Sequence, residues 1–166
     1  NIGNTYAKTQ ALNTAEVHAL PQPLSPFNWK IILRHEDTYH IAYVNLWQIH
    51  TQQRKDGSWL LQRMVTAYQP LSDILWQRWE QFGDYSDQPK LAREAWLQPG
   101  FGQFRRFAVF PLLDRMDHSE LGQCFWFFDL RFQFPELPPS FRYGICRKDY
   151  QSNWKMQRQQ GLFLID

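Results

Sequence analysis

The sequence predicts an α+β fold: an antiparallel sheet of about five to six strands with helices packed on one face. Three observations predict it. Residues 123–134 carry an apolar side chain at every even position, from Cys124 through Trp126, Phe128, Leu130 and Phe132 to Phe134, which is the period of a strand. Residues 70–83 instead place Leu71, Ile74, Leu75, Trp79 and Phe82 at three- and four-residue steps, the period of a helix. Strand-like and helix-like runs then follow one another in blocks rather than in alternating βαβ units.

Taken in order, residues 5–19 contain Ala7, Ala11, Ala15 and Ala19 with no Gly or Pro and predict a leading helix, whose stop is Pro21, Pro23 and Pro26. Residues 27–34 alternate, with Trp29, Ile31 and Leu33 on one side and Lys30 and Arg34 on the polar side. The polar His35-Glu36-Asp37-Thr38 suits a tight turn, and residues 39–47 are rich in β-branched and aromatic types, so the two runs form a hairpin. A third strand is expected over residues 58–68 after the Asp56-Gly57 turn. Helices are expected at 70–83 and 89–97, and Gly100-Phe101-Gly102 reads as a loop. Three strands follow, at 104–110, 123–134 and 141–147, with prolines punctuating their ends.

The chain has 166 residues, a hydrophobic fraction of 43% and a charged fraction of 20%, enough for a packed core and too little charge for disorder. It reads as a single soluble domain over 1–166, with residues 1–20 as its leading helix. Lys+Arg exceed Asp+Glu by 18 to 16, a net charge of +2, which does not supply the basic stripe of a nucleic-acid binder. No stretch reaches the roughly 18 consecutive apolar residues of a membrane-spanning helix. The chain starts at Asn1 without a signal-like leader and reads as a piece of a longer protein. Cys124 and Cys146 lack CxxC spacing and are too few for a disulfide framework, so each is expected to be a small buried hydrophobe.

No GxSxG, P-loop or HExxH motif is present, so covalent and metal-assisted catalysis lack sequence support. His35 and His40 flank the hairpin turn and read as turn polarity; Asp114, Asp117, His118 and Glu120 read as a solvated connection between strands. No metal site is expected here. The candidate ligand face is formed by Asp129 and Arg131, two residues apart on one strand, with Arg105 or Arg106 reaching them if a neighbouring strand pairs there. The same pair also reads as an internal ion pair. The aromatic content of 17% is expected to fill the core, with an exposed cluster marking a surface that meets a partner or a membrane.

The run Leu20-Pro21-Gln22-Pro23-Leu24-Ser25-Pro26-Phe27-Asn28-Trp29-Lys30-Ile31-Ile32, with Tyr39-His40-Ile41-Ala42-Tyr43-Val44, resembles the proline-rich entry and Trp-bearing strand of the membrane-bound metal-dependent hydrolase family of bacteria. Asp129-Leu130-Arg131-Phe132 and Phe141-Arg142-Tyr143-Gly144 resemble the carboxy-terminal region of the same proteins. In that family transmembrane helices bearing histidine and acidic residues come first and a soluble domain follows. The resemblance implies that this chain is the soluble carboxy-terminal domain of an inner-membrane protein. Its divalent metal and its hydrolytic residues would lie in the membrane portion, so no catalytic residue is carried over to this chain. The partners implied are that membrane portion and an unidentified small molecule or protein, not nucleic acid.

Overall fold

The computed structural model describes residues 2–23, 25–47, 66–84, 88–119, 122–149 and 152–160. The fold is α+β. Among the described residues nine strands form two sheets, and three α-helices accompany them. Where the sequence suggests one domain, contacts divide the chain into two compact units, Asn1–Trp79 with Phe134–Leu137 and Glu80–Gln133 with Pro138–Asp166.

In the first unit, α1 (Ile2–Thr9) is followed by β1 (Glu16–Pro21), β2 (Asn28–His35), β3 (Thr38–Asn45), β4 (Gln69–Pro70) and β5 (Gln77–Glu80). The sheet order is β1-β2-β3-β4, and β5 also pairs with β3. The expected helix over residues 5–19 stops at Thr9. Ala11 takes a φ of 56° and Leu12 N–H donates to Ala7 O at 2.8 Å, which turns the chain back. Residues 16–21 then pair one for one with Arg34 to Trp29 of β2, setting Val17 opposite Leu33 and Ala19 opposite Ile31. Backbone pairing with Trp29 to Arg34 of β2 outweighs the weak helix preference of the alanine repeat.

The β2–β3 hairpin forms as expected, closing with His35 opposite Thr38 and Glu36 at φ 53°. Ile31, Leu33, Ala42 and Val44 form a core cluster with Ala7 of α1. The opposite face corrects the sequence reading. Lys30, expected on the polar side, is 0% exposed, and its Nζ lies 5.4 Å from the centre of the Tyr43 ring. The lysine stem buries as an apolar chain, and its charge rests against an aromatic face.

The helix expected over 70–83 is absent. Pro70 belongs to β4, which runs parallel to β3. Leu71, Ile74 and Trp76 pack on the first core cluster, and Trp76 stacks on Tyr6 with ring centres 4.0 Å apart. Three- and four-residue spacing is satisfied here by an irregular chain laid over a sheet. The strand expected at 58–68 lies mostly outside the described residues.

In the second unit come α2 (Gln88–Trp96), a 3-10 turn (Pro99–Phe101), α3 (Gly102–Phe107), β6 (Pro111–Ser119), β7 (Gly122–Asp129), a second 3-10 turn (Leu130–Phe132), β8 (Phe141–Arg147) and β9 (Lys155–Gln160). The four strands make an antiparallel meander, β6-β7-β8-β9. α2 and β8 match their sequence expectations. Gly100-Phe101-Gly102 is helical rather than a loop, and residues 104–107 are helix rather than strand. The reason is packing: Phe101 and Phe104, three residues apart, join Ala92, Ala95, Phe125, Phe127 and Ile145 in one buried cluster. A helix points both rings the same way, which a strand would not.

β7 also ends earlier than residue 134, at Asp129. Its odd residues Phe125 and Phe127 face the helices, so the larger core lies on the face opposite to the one the even positions suggested. The even face holds a separate buried cluster of Cys124, Trp126 and Cys146. These cysteines are not two independent hydrophobes. They stand directly opposite each other on β7 and β8 and form a disulfide.

Gly144, opposite Trp126, leaves room for the indole: a Cβ at that position would come within 2.8 Å of Trp126 Cε3 and Cζ3. Gly144→Ala is expected to displace the ring at a cost of about 1–3 kcal/mol. The measurements are the urea midpoint and the tryptophan emission maximum, which should fall and move to longer wavelength. An unchanged emission spectrum would show that the ring does not lie over Gly144.

Candidate functional site

Asp129 and Arg131 do come together, but not as neighbours on a strand face. Asp129 closes β7 and caps the 3-10 turn that follows: its Oδ1 accepts from Arg131 N–H at 2.9 Å. Its Oδ2 accepts from Val109 N–H at 2.7 Å and from Arg131 Nε at 2.9 Å, while Arg131 Nη2 lies 2.8 Å away. Only 1% of the Asp129 side chain is exposed, against 28% for Arg131. Arg131 Nη2 also donates to Phe107 O at 2.7 Å. Backbone and guanidinium donors thus compensate the buried charge from both sides. This pair locks the end of α3 to the end of β7.

Arg105 sits elsewhere. It lies in α3, not on a strand, and its Nη1 donates to Trp96 O and, at 2.8 Å, to Gln98 O. It therefore satisfies carbonyls at the end of α2. The three residues expected to form one ligand face divide into a buried clamp and a helix cap.

What the clamp holds in place is aromatic. Phe107 and Phe132 lie parallel, 5° between planes and 5.8 Å between centres, and Phe141 meets Phe132 edge-on at 5.7 Å. The Arg131 guanidinium carbon lies 5.1 Å from the Phe107 ring centre and 5.0 Å from that of Phe132. Phe107, Val109 and Phe141 are 49%, 43% and 48% exposed. Behind them Tyr143 stacks on Phe104, and Arg158 lies over Tyr143 at 5.8 Å. The sequence suggests an exposed aromatic cluster but not its members, because Phe107, Phe132 and Phe141 come from three separate elements.

Asp114, Asp117 and His118 belong to β6 rather than to a connection, and Glu120 lies outside the described residues. Asp117 Oδ2 accepts from Arg115 Nε at 3.1 Å and from Trp126 Nε1 at 2.9 Å. Asp114 Oδ2 accepts from Arg142 Nε at 2.8 Å. A salt-bridged sheet face results. Among the described residues no three His, Cys, Asp or Glu side chains converge as metal ligands. His35 lies opposite Thr38 and His40 opposite Leu33, and His40 Nδ1 is hydrogen-bonded to the Tyr6 hydroxyl at 3.0 Å.

The first unit holds two further features. Around Lys30, Asn45 Nδ2 donates to Asn28 Oδ1 at 2.9 Å and the Tyr68 hydroxyl donates to Gln22 Oε1 at 3.2 Å. Burial pushes the Tyr68 phenol up to about 12 and raises that of Tyr43 further, so both stay protonated well above neutral pH. Between α1 and the sheet runs a groove of about 420 Å³, lined by Ile2, Val17, Ala19, Trp29, Val44 and Leu46 among others, with no charged side chain.

Among the described residues no helix is long and apolar enough to cross a membrane. Comparison of the chain with protein-family models, curated proteins and solved structures gives no match.

Proposed function

We propose that this chain is a non-catalytic binding domain, the carboxy-terminal part of a membrane-bound metal-dependent hydrolase, and that it docks on a lipid surface through its aromatic patch. The observation that carries the docking is the array of Phe107, Phe132 and Phe141, held by the Asp129–Arg131 clamp with two rings about half exposed. Rings held outward by a buried ion pair spend stability without filling a core, which fits a surface meant to be covered. Arg131 and Arg158 lie on aromatic faces at the same place. Arg131 is balanced by Asp129, so the apolar rings with the Arg158 guanidinium beside them suit an interface that is apolar inside and anionic at its edge, as an acidic lipid headgroup layer is. The attribution to the hydrolase family rests on the motif resemblance around Trp29 and Asp129.

The test is co-sedimentation with vesicles of phosphatidylglycerol and phosphatidylcholine. The paired change Phe107→Ser and Phe141→Ser removes two half-exposed rings and should weaken binding at least about tenfold while the thermal midpoint holds. Equal binding by the paired variant, or no binding by the parent chain, would overturn the docking.

A further inference from the structure

We infer that this chain folds and works in an oxidising compartment, outside a reducing cytosol, because the sheet of its second unit carries a buried disulfide, Cys124–Cys146. The cysteines are direct register partners on β7 and β8, with Cα atoms 4.1 Å apart. They are 0% and 3% exposed and share a cluster with Trp126 alone. That face is opposite the one on which Ala92, Ala95, Phe101 and Phe104 of the helical segments pack. The bond shares that face with the Trp126 ring over Gly144, the arginine–aspartate pairs of Asp114 and Asp117, and the buried Phe128 with its register partner Leu112.

A redox-active pair needs a sulfur that a second thiol can reach, and this one is enclosed. Its role is therefore structural. Structural disulfides persist where the surroundings oxidise thiols and are rare where glutathione and thioredoxin keep them reduced. The bond forms when the Cys124 and Cys146 thiols pass two electrons and two protons to the disulfide of a compartmental thiol oxidoreductase. That enzyme leaves as its dithiol, and one S–S bond replaces another. The inference does not rest on lipid docking. If both hold, the leaflet engaged is the one facing the oxidising side.

The experiment traps thiols in the cells that make the full-length protein: acid quench, denaturation, then a polyethylene-glycol maleimide that retards each labelled chain on a gel. Counted against the same protein with Cys124→Ala and Cys146→Ala, the expected result is no additional label without prior reduction and two additional labels after it. The same chain produced in a reducing cytosol should carry two additional labels at once. Two additional labels before reduction in the native cells would overturn the inference. So would a single additional label, which means pairing with another molecule, or no additional label on the chain from the reducing cytosol. Vesicle binding is scored separately, so a failure of docking and a failure of compartment give different patterns.

Discussion

Replacing Asp129 with alanine is expected to cost about 3 kcal/mol, the lower end of what breaking a buried ion pair costs, because Arg131 keeps contact with water. The side chains are 1% and 28% exposed. The loss has several sources that act together. Val109 N–H and Arg131 N–H each lose their carboxylate acceptor, and each unsatisfied donor adds a desolvation penalty. The Arg131 guanidinium loses its partner at Nε and keeps the Phe107 carbonyl at Nη2. Asp129→Asn retains one acceptor oxygen and should lose roughly half as much. Urea unfolding of the three proteins measures the differences. An alanine variant within about 0.5 kcal/mol of the parent would show that the clamp is not closed in solution. Because Phe107 and Phe132 flank Arg131, the alanine variant should also bind vesicles more weakly, and the asparagine variant should fall between.

How much could be read in advance depended on whether local pattern and tertiary pairing agreed. β2 is legible from its apolar alternation, and β3 from its β-branched and aromatic content after a polar turn, because local pattern and strand pairing agree there. α2 was readable because Pro99-Gly100 bounds a short apolar period. Residues 70–83 have an equally convincing helical period, yet Trp76 finds the Tyr6 ring and Gln77–Glu80 finds the edge of β3. Periodicity records which residues want burial, not the backbone that delivers them. Residues 104–107 fail in the opposite direction: the segment reads as extended, yet Phe104 and Phe107 stand three residues apart and the core needs Phe101 and Phe104 together.

The candidate site was half readable for the same reason. Asp129 and Arg131 were found as a pair from their charge and spacing. Their task was hidden because β7 stops at Asp129, and a side chain that caps its own exit turn cannot be distinguished by period from one projecting off a strand. Arg105 cannot be placed from a strand reading of residues 104–110, because its segment is the helix α3. Lys30 is not legible because a strand with one apolar face ordinarily leaves the other wet, and the Tyr43 ring that its ammonium meets lies on the neighbouring strand β3. The disulfide was invisible for a simpler reason: a separation of 22 residues says nothing about register.

Reduction of that disulfide is expected to lower the stability of the second unit by about 3 kcal/mol, from the loop that the bond no longer closes in the unfolded chain. For a unit of this size the thermal midpoint should fall by about 12–24 °C. The packing around the bond argues that most of the effect is felt on one face of the sheet. Cys124 and Cys146 flank the site where Trp126 lies over Gly144, and Trp126 Nε1 donates to Asp117. If the strands part at that register, the indole loses its seat before the helix-side cluster of Phe125, Phe127 and Ile145 is disturbed. Tryptophan emission should therefore shift to longer wavelength at a lower temperature than the loss of helical circular dichroism, and only in the reduced protein. The paired change Cys124→Ala and Cys146→Ala should reproduce the shift without reductant. Coincident transitions in both redox states, with midpoints equal within about 2 °C, would mean that strand pairing and the two helices hold this sheet without the covalent bond.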